Sequence, residues 1–143
     1  MRGYLGSYLH QIDEKGRLSL PAPFRQAASE PPFVLVHVFP DALTIYPVSA
    51  WGTVEERLRE LLRLHPESRP YVLGVTANAV EVSLDKQGRI LVPARLQDAV
   101  GLSGPTLVVG AIDRIELWNP DRFRASVEAP AADFHRYTHQ IFA

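Results

Sequence analysis

Two short stretches carry the residues best suited to chemistry: "DEKGRLSLPA", which begins at Asp13, and "DKQGRILVPA", which begins at Asp85. In each, an aspartate precedes a glycine by three positions and an arginine by four, and the only two lysines of the chain, Lys15 and Lys86, lie inside them. An arginine just past a hairpin tip reaches solvent, where its planar fork fits a phosphate or the O6/N7 edge of guanine. The same spacing supports a plainer reading, in which Arg17 pairs with Asp13, and Arg89 with Asp85, to brace the turn. An exposed pair of that kind is worth ~0–1 kcal/mol. Lys15 suits a phosphate contact and Lys86 a weaker one, with simple solubility as the alternative for both. Arg25, on a short helix beyond the first stretch, is as well placed to lie over the core as to bind.

Other chemistries fare poorly. Asp13 and Asp85 would form a carboxylate dyad if they met across a pseudo-twofold, but each already has a role in its own turn. His135 and His139 stand at i,i+4 in "HRYTH", yet Arg136 occupies the place where a zinc protease needs glutamate, and no third ligand is evident. There is no GxSxG elbow, P-loop or GxGxxG, and "GLSGP" reads as a helix stop followed by a turn. Cysteine is absent, which removes thiol catalysis, disulfides and thiolate metal sites together. The expectation is a protein that is not an enzyme, with no cofactor, no metal and no small-molecule substrate.

At 143 residues and 46% apolar content, the chain can bury one core or two small intertwined halves without staples. Its formal net charge of −1 provides no global basic footprint, so any nucleic-acid role must rest on local charge. The opening "MRGYLGSYLHQID" lacks a signal peptide's apolar region, and no stretch approaches the ~20 apolar residues that span a bilayer. A cytoplasmic protein with no membrane partner is expected.

The elements that must position the two arginines are themselves repeated. Sliding the chain by 72 positions aligns residues 13–51 with 85–123 without a gap, and nine pairs are identical, among them Gly16/Gly88, Pro21/Pro93, Leu35/Leu107 and Val36/Val108. This is an internal duplication. Each half opens on an alternating strand, with Tyr8, His10 and Ile12, or Val80, Val82 and Leu84, on one face. Asp13 or Asp85 then accepts backbone N–H groups of a type I turn, Gly16 or Gly88 takes the left-handed bulge position, and the hairpin returns. A short helix follows ("APFRQAA"; "ARLQDAV", stopped by Gly101), and then two strands joined by a turn carrying Asp41 or Asp113.

Between the halves, Trp51, Val54, Leu58, Leu61 and Leu62 fall at helical spacing, and "PYVLGVTANA" suggests a second short helix. "NPDRFRASVE" has Asn119 as N-cap and Pro120 at the first helical position. The expected fold class is α+β, mainly β with short helices, its two halves interlocked into one barrel-like body. The expected segments are 1–52, a first half; 53–76, connecting helices; 77–128, a second half; and 129–143, a tail. Apolar positions such as Val34, Val36 and Leu43 are expected to need neighbouring subunits to cover them.

The stretches "GSYLHQIDEKGRLSLPAPFR", "LTIYPVSAW" and "EVSLDKQGRILVPARLQDAVGL" closely resemble the MraZ family, a relative of the AbrB-type swapped-hairpin DNA-binding proteins. The likeness spans residues 3–125. It implies two AbrB-like halves in one chain and a transcriptional regulator that assembles into a ring-shaped homo-oligomer. It also implies a nucleoid-associated protein whose partner is double-stranded DNA, read as short tandem direct repeats in the promoter of the division and cell-wall gene cluster. The family's DNA-facing arginine maps onto Arg17 and Arg89. Where many members read Pro-Ala-Lys-Phe-Arg, this chain has Pro21-Ala22-Pro23-Phe24-Arg25, one basic residue fewer, for which Arg2 is a candidate substitute. The alternative is an antitoxin-like module whose tail docks Phe134, Tyr137 and Phe142 into a partner protein.

Overall fold

A computed structural model describes residues 3–27, 32–128 and 133–143 of the chain. The first half runs β1 (Ser7–Gln11), β2 (Arg17–Ser19), α1 (Ala22–Ala27), β3 (Phe33–Phe39), β4 (Ala42–Pro47) and α2 (Val48–Leu64). A 3₁₀ turn over Pro66–Ser68 and α3 (Arg69–Asn78) lead into β5 (Val80–Val82), β6 (Arg89–Leu91), α4 (Ala94–Ala99), β7 (Pro105–Gly110), β8 (Ile115–Trp118) and α5 (Pro120–Val127). A last helix, α6, covers Phe134–Phe142. Arg2, the candidate substitute cation, lies outside the described residues.

The strands form an antiparallel six-stranded sheet, ordered β1-β7-β8-β4-β3-β5, and a separate two-stranded ribbon, β2-β6. Exchanging each strand for its counterpart four places on in the chain reverses the six-stranded order onto itself and returns the ribbon to itself. Neither half completes its own sheet: β1 lies on β7, and β5 lies on β3. The halves interlock, but β1 and β5 are free edges of an open sheet, and no ladder among the described residues joins them. The expected barrel is therefore not closed. Nor is the fold mainly β, since the helices hold more residues than the strands and α2 alone is 17 residues long. The architecture is mixed α+β.

Register corrects the gapless alignment of the two halves. Leu35 on β3 faces Ile45, whereas Val108 on β7 faces Leu117. Because Ile45 and Leu117 are counterparts, Leu35 corresponds to Val108 rather than to Leu107. The physical reason is a bulge between Val36 and Phe39, which takes up one residue in the β3–β4 hairpin with no equivalent in β7–β8. Slipping a strand by one residue would turn its core face outward, and Leu35 and Val108 are both fully buried.

The core lies between the inner face of the sheet and the ribbon. Leu18 and Ile90, paired at the ribbon's centre, are 0% and 1% exposed. Phe24 on α1 is buried with them, edge-on to Tyr4 and Tyr8 at 5.5 and 5.4 Å. Val34, Val36 and Leu43, expected to need neighbouring subunits, are buried within the single chain. Apolar surface remains outside on helices and strands alike: no residue of α2 is fully buried, its Trp51, Val54, Leu58, Leu61 and Leu62 are half-buried, and Leu9 on β1 and Leu91 on β6 stand exposed.

Since Leu18 fills the junction between ribbon and sheet, Leu18→Ala should cost roughly 2–5 kcal/mol through reduced burial and a cavity. Leu64→Ala, on the exposed end of α2, should stay within about 0.5 kcal/mol of the wild type. Urea melts of the two variants measure the contrast.

Candidate nucleic-acid interface

The two turns are built alike. At the first, Asp13 Oδ1 accepts the N–H groups of Lys15 and Arg17 at 3.0 and 2.9 Å, and Oδ2 accepts Arg17 Nε at 2.9 Å. Gly16 N–H donates to Asp13 O at 2.9 Å and Asp13 N–H to Arg17 O at 3.0 Å, closing the loop with Gly16 at φ +82°. At the second, Asp85 Oδ1 takes the N–H groups of Gln87 and Arg89 at 2.8 and 2.9 Å, Oδ2 takes Arg89 Nε at 2.9 Å, and Gly88 sits at φ +76°. That φ suits glycine, because a side chain there clashes with the following carbonyl.

Both carboxyls are held below their ordinary acidity range, first by the backbone N–H of the arginine and then by the arginine side chain and a second backbone N–H. Each arginine thus braces its turn through Nε. Among the described residues the terminal Nη groups of Arg17 and Arg89 make no hydrogen bond. The side chains of Arg17 and Arg89 are 35% and 24% exposed.

The ribbon brings the two arginines onto one face. Arg17 lies opposite Leu91, and Ser19 opposite Arg89. Residues directly opposite in an antiparallel pair share a face, and successive residues alternate. With Leu18 and Ile90 turned into the core, Arg17, Ser19, Arg89 and Leu91 all face outward. Lys15 and Lys86 stand exposed on the two turns. His10 Nδ1–H donates to Ser19 O at 2.7 Å, tying β1 to the ribbon.

Arg25 stands apart from this face. Its guanidinium covers Gly88, and Nη1 donates to Gln87 O at 3.5 Å, so a residue of the first half roofs the turn of the second. Its counterpart Gln97 lies against Gly16 but turns back to donate to Val92 O at 2.8 Å. That shorter side chain leaves a crevice of about 550 Å³ beside the first turn, lined by Asp13, Lys15, Gly16, Leu91 and Gln97. Gln97 and Leu91 are the members of the site that motif reading passes over. Both were findable, Gln97 as the repeat partner of Arg25 and Leu91 by its alternation with Arg89. Asp13 and Asp85 are each bound into their own turns, and among the described residues no group of His, Asp and Glu is arranged to hold a metal ion. No described helix is long and apolar enough to cross a membrane.

Fold and site together define a pseudo-symmetric α+β chain that presents two aspartate-braced arginines on one outward ribbon. A family model described as "MraZ protein, putative antitoxin-like" matches residues 4–71 and again 75–141. The chain belongs to the MraZ family. It is 39% identical over 140 residues to the "Transcriptional regulator MraZ" of Desulfitobacterium hafniense (strain Y51), covering 98% of this chain and 92% of that one. To the protein of the same name from Thermomicrobium roseum it is 38% identical over 130 residues, covering 91% of each. The Pediococcus pentosaceus protein of that name is 34% identical over 131 residues, covering 92% of this chain and 91% of its own.

Acid should loosen both turns. The folded pKa of Asp13 and of Asp85 is depressed, so their contribution is full above the ordinary value of 3.8 and is lost as pH falls through the lower folded values. The melting-temperature gap between wild type and Asp13→Ala/Asp85→Ala should be constant from about pH 7 to 5 and should shrink below about pH 4. Calorimetry across that range checks it.

Proposed function

We propose that this chain is a transcriptional regulator that binds double-stranded DNA through the outer face of the β2–β6 ribbon. One observation carries the reading: Arg17 and Arg89 share that face, each with its Nε fixed by an aspartate. A two-stranded ribbon fits the major groove of B-DNA, and the Nη edge of a held guanidinium suits guanine O6/N7 or a phosphate. Fixing Nε beforehand lowers the entropy lost when the fork engages. Lys15 and Lys86, on the flanking turns, suit phosphates. The names of the relatives support a regulator rather than an enzyme.

The finer reading follows from the family. Two AbrB-like halves form the DNA-binding body, and several bodies assemble into a ring. Its targets are short tandem direct repeats in the promoter of the division and cell-wall gene cluster. A net charge of −1 gives one subunit little non-specific attraction, so affinity comes from several ribbons engaging several repeats together. Exposed apolar residues on α2 and α3, including Leu64, Tyr71 and Leu73, supply surface for subunit contacts.

A second reading has its own observation. On α6, Phe134, Tyr137, Ile141 and Phe142 are all more than half exposed and fall at helical spacing, a face suited to a partner's groove, as in an antitoxin-like module.

Arg17→Ala separates the readings. It removes one exposed ion pair, worth about 0–1 kcal/mol, so the fold and the oligomer seen by light scattering should persist. Binding to the DNA upstream of the chain's own gene should be abolished in gel shifts. In a variant that still binds, such as Lys15→Ala, removing one cation from a phosphate should flatten the plot of log affinity against log salt by about 0.9. Wild-type-like binding by Arg17→Ala would reduce Arg17 to a brace for its turn, whereas failure of the wild type itself to bind would favour the partner-protein reading.

A further inference from the structure

Leu91 is an anomaly on the ribbon. It is 57% exposed, yet its neighbours on that face are Arg17, Ser19 and Arg89, and its Cδ1 lies over Gly16 beside Lys15. Single exposed leucines are common on protein surfaces. This one stands directly opposite Arg17 on a rigid pair of strands, and the pseudo-symmetry supplies an internal comparison. At the other end of the ribbon the residue opposite Arg89 is Ser19. The two ends therefore present different pairs, arginine with leucine and arginine with serine.

We propose that Leu91 is a specificity-determining residue that packs on the C5-methyl of a thymine, next to the base or phosphate that Arg17 engages. The inference rests on the DNA-binding reading above and adds to it which base is read, and by which residue. Thymine is the only base that offers an apolar group in the major groove. Side chains directly opposite on paired strands stand ~4.5–5.5 Å apart at Cβ, which places a leucine and an arginine within one or two base-pair steps of ~3.4 Å. The serine at the other end has no such contact to give. An arginine–leucine end and an arginine–serine end make the face directional, and a directional reader fits direct repeats better than palindromes.

The test compares thymine with uracil, which differs only in the missing methyl. The shortest upstream duplex that full-length wild type protects in footprinting is prepared twice, once with thymidine and once with deoxyuridine throughout. Wild type should bind the uracil duplex about fourfold more weakly for each methyl touched, the equivalent of one CH₂ group returned to water. Leu91→Ala should bind the thymidine duplex as weakly as wild type binds the uracil one, and should not distinguish the two duplexes. Leu91→Met, which keeps an apolar contact, should retain the discrimination. Leu91 is exposed, so melting temperatures should match wild type. The proposal is overturned if Leu91→Ala keeps the wild-type preference for thymidine, or if wild type binds both duplexes equally. In that second case the DNA-binding reading survives and only the role of Leu91 falls. If wild type protects no upstream DNA, both fall together.

Discussion

Strand exchange between the halves is the constraint on which the rest depends. Each half gives its first strand to the other, β1 to β7 and β5 to β3, and the returning strands β2 and β6 can then pair only with each other. Neither half can bury its own apolar faces, because Leu18 and Ile90 meet only when both halves are present. The same crossing point that closes the core also fixes where the two arginines stand. Stability and the candidate interface are thus consequences of a single topological arrangement.

Within that frame the aspartates act locally. An aspartate that accepts two backbone N–H groups shapes the turn whether or not an arginine follows. Adding the Nε contact sets the direction of the guanidinium as well as the backbone path. The pseudo-symmetry is broken by substitutions around this common plan. Arg25 roofs the second turn where Gln97 leaves a crevice at the first, and Leu91 stands where the other end of the ribbon has Ser19. A pseudo-symmetric scaffold can carry such differences because the turn geometry does not depend on the residues that vary.

The local features were legible in the sequence. The aspartate-led turn with a left-handed glycine needs only Asp13 and Gly16 in order, and Asn119, whose side chain accepts from the N–H groups of Asp121 and Arg122, needs only the residues just after it. The offset between Leu35 and Val108 was not legible. Identical residues favoured a gapless match, and the bulge that breaks it is fixed by partners on β4 and β8, far along the chain. Barrel closure failed as an expectation for a similar reason, since alternation identifies strands without saying which edges stay free. The burial of Val34 and Val36, which alternate with Leu35 onto the other face of the sheet, depended on α2 and α3 packing against β3, and that of Leu43 on β8 pairing with β4. Periodicity along a strand cannot show which element will cover it.

The central claim is that one ribbon face meets DNA, and hydrogen–deuterium exchange with and without the protected duplex tests it most directly. Backbone amides of residues 13–19 and 85–91 should slow together on DNA binding, while those of α2 and α6 keep their rates apart from any change due to assembly, which a scrambled duplex controls. Slowed exchange confined to α2 or α6, with both ribbon segments unchanged, would contradict the account.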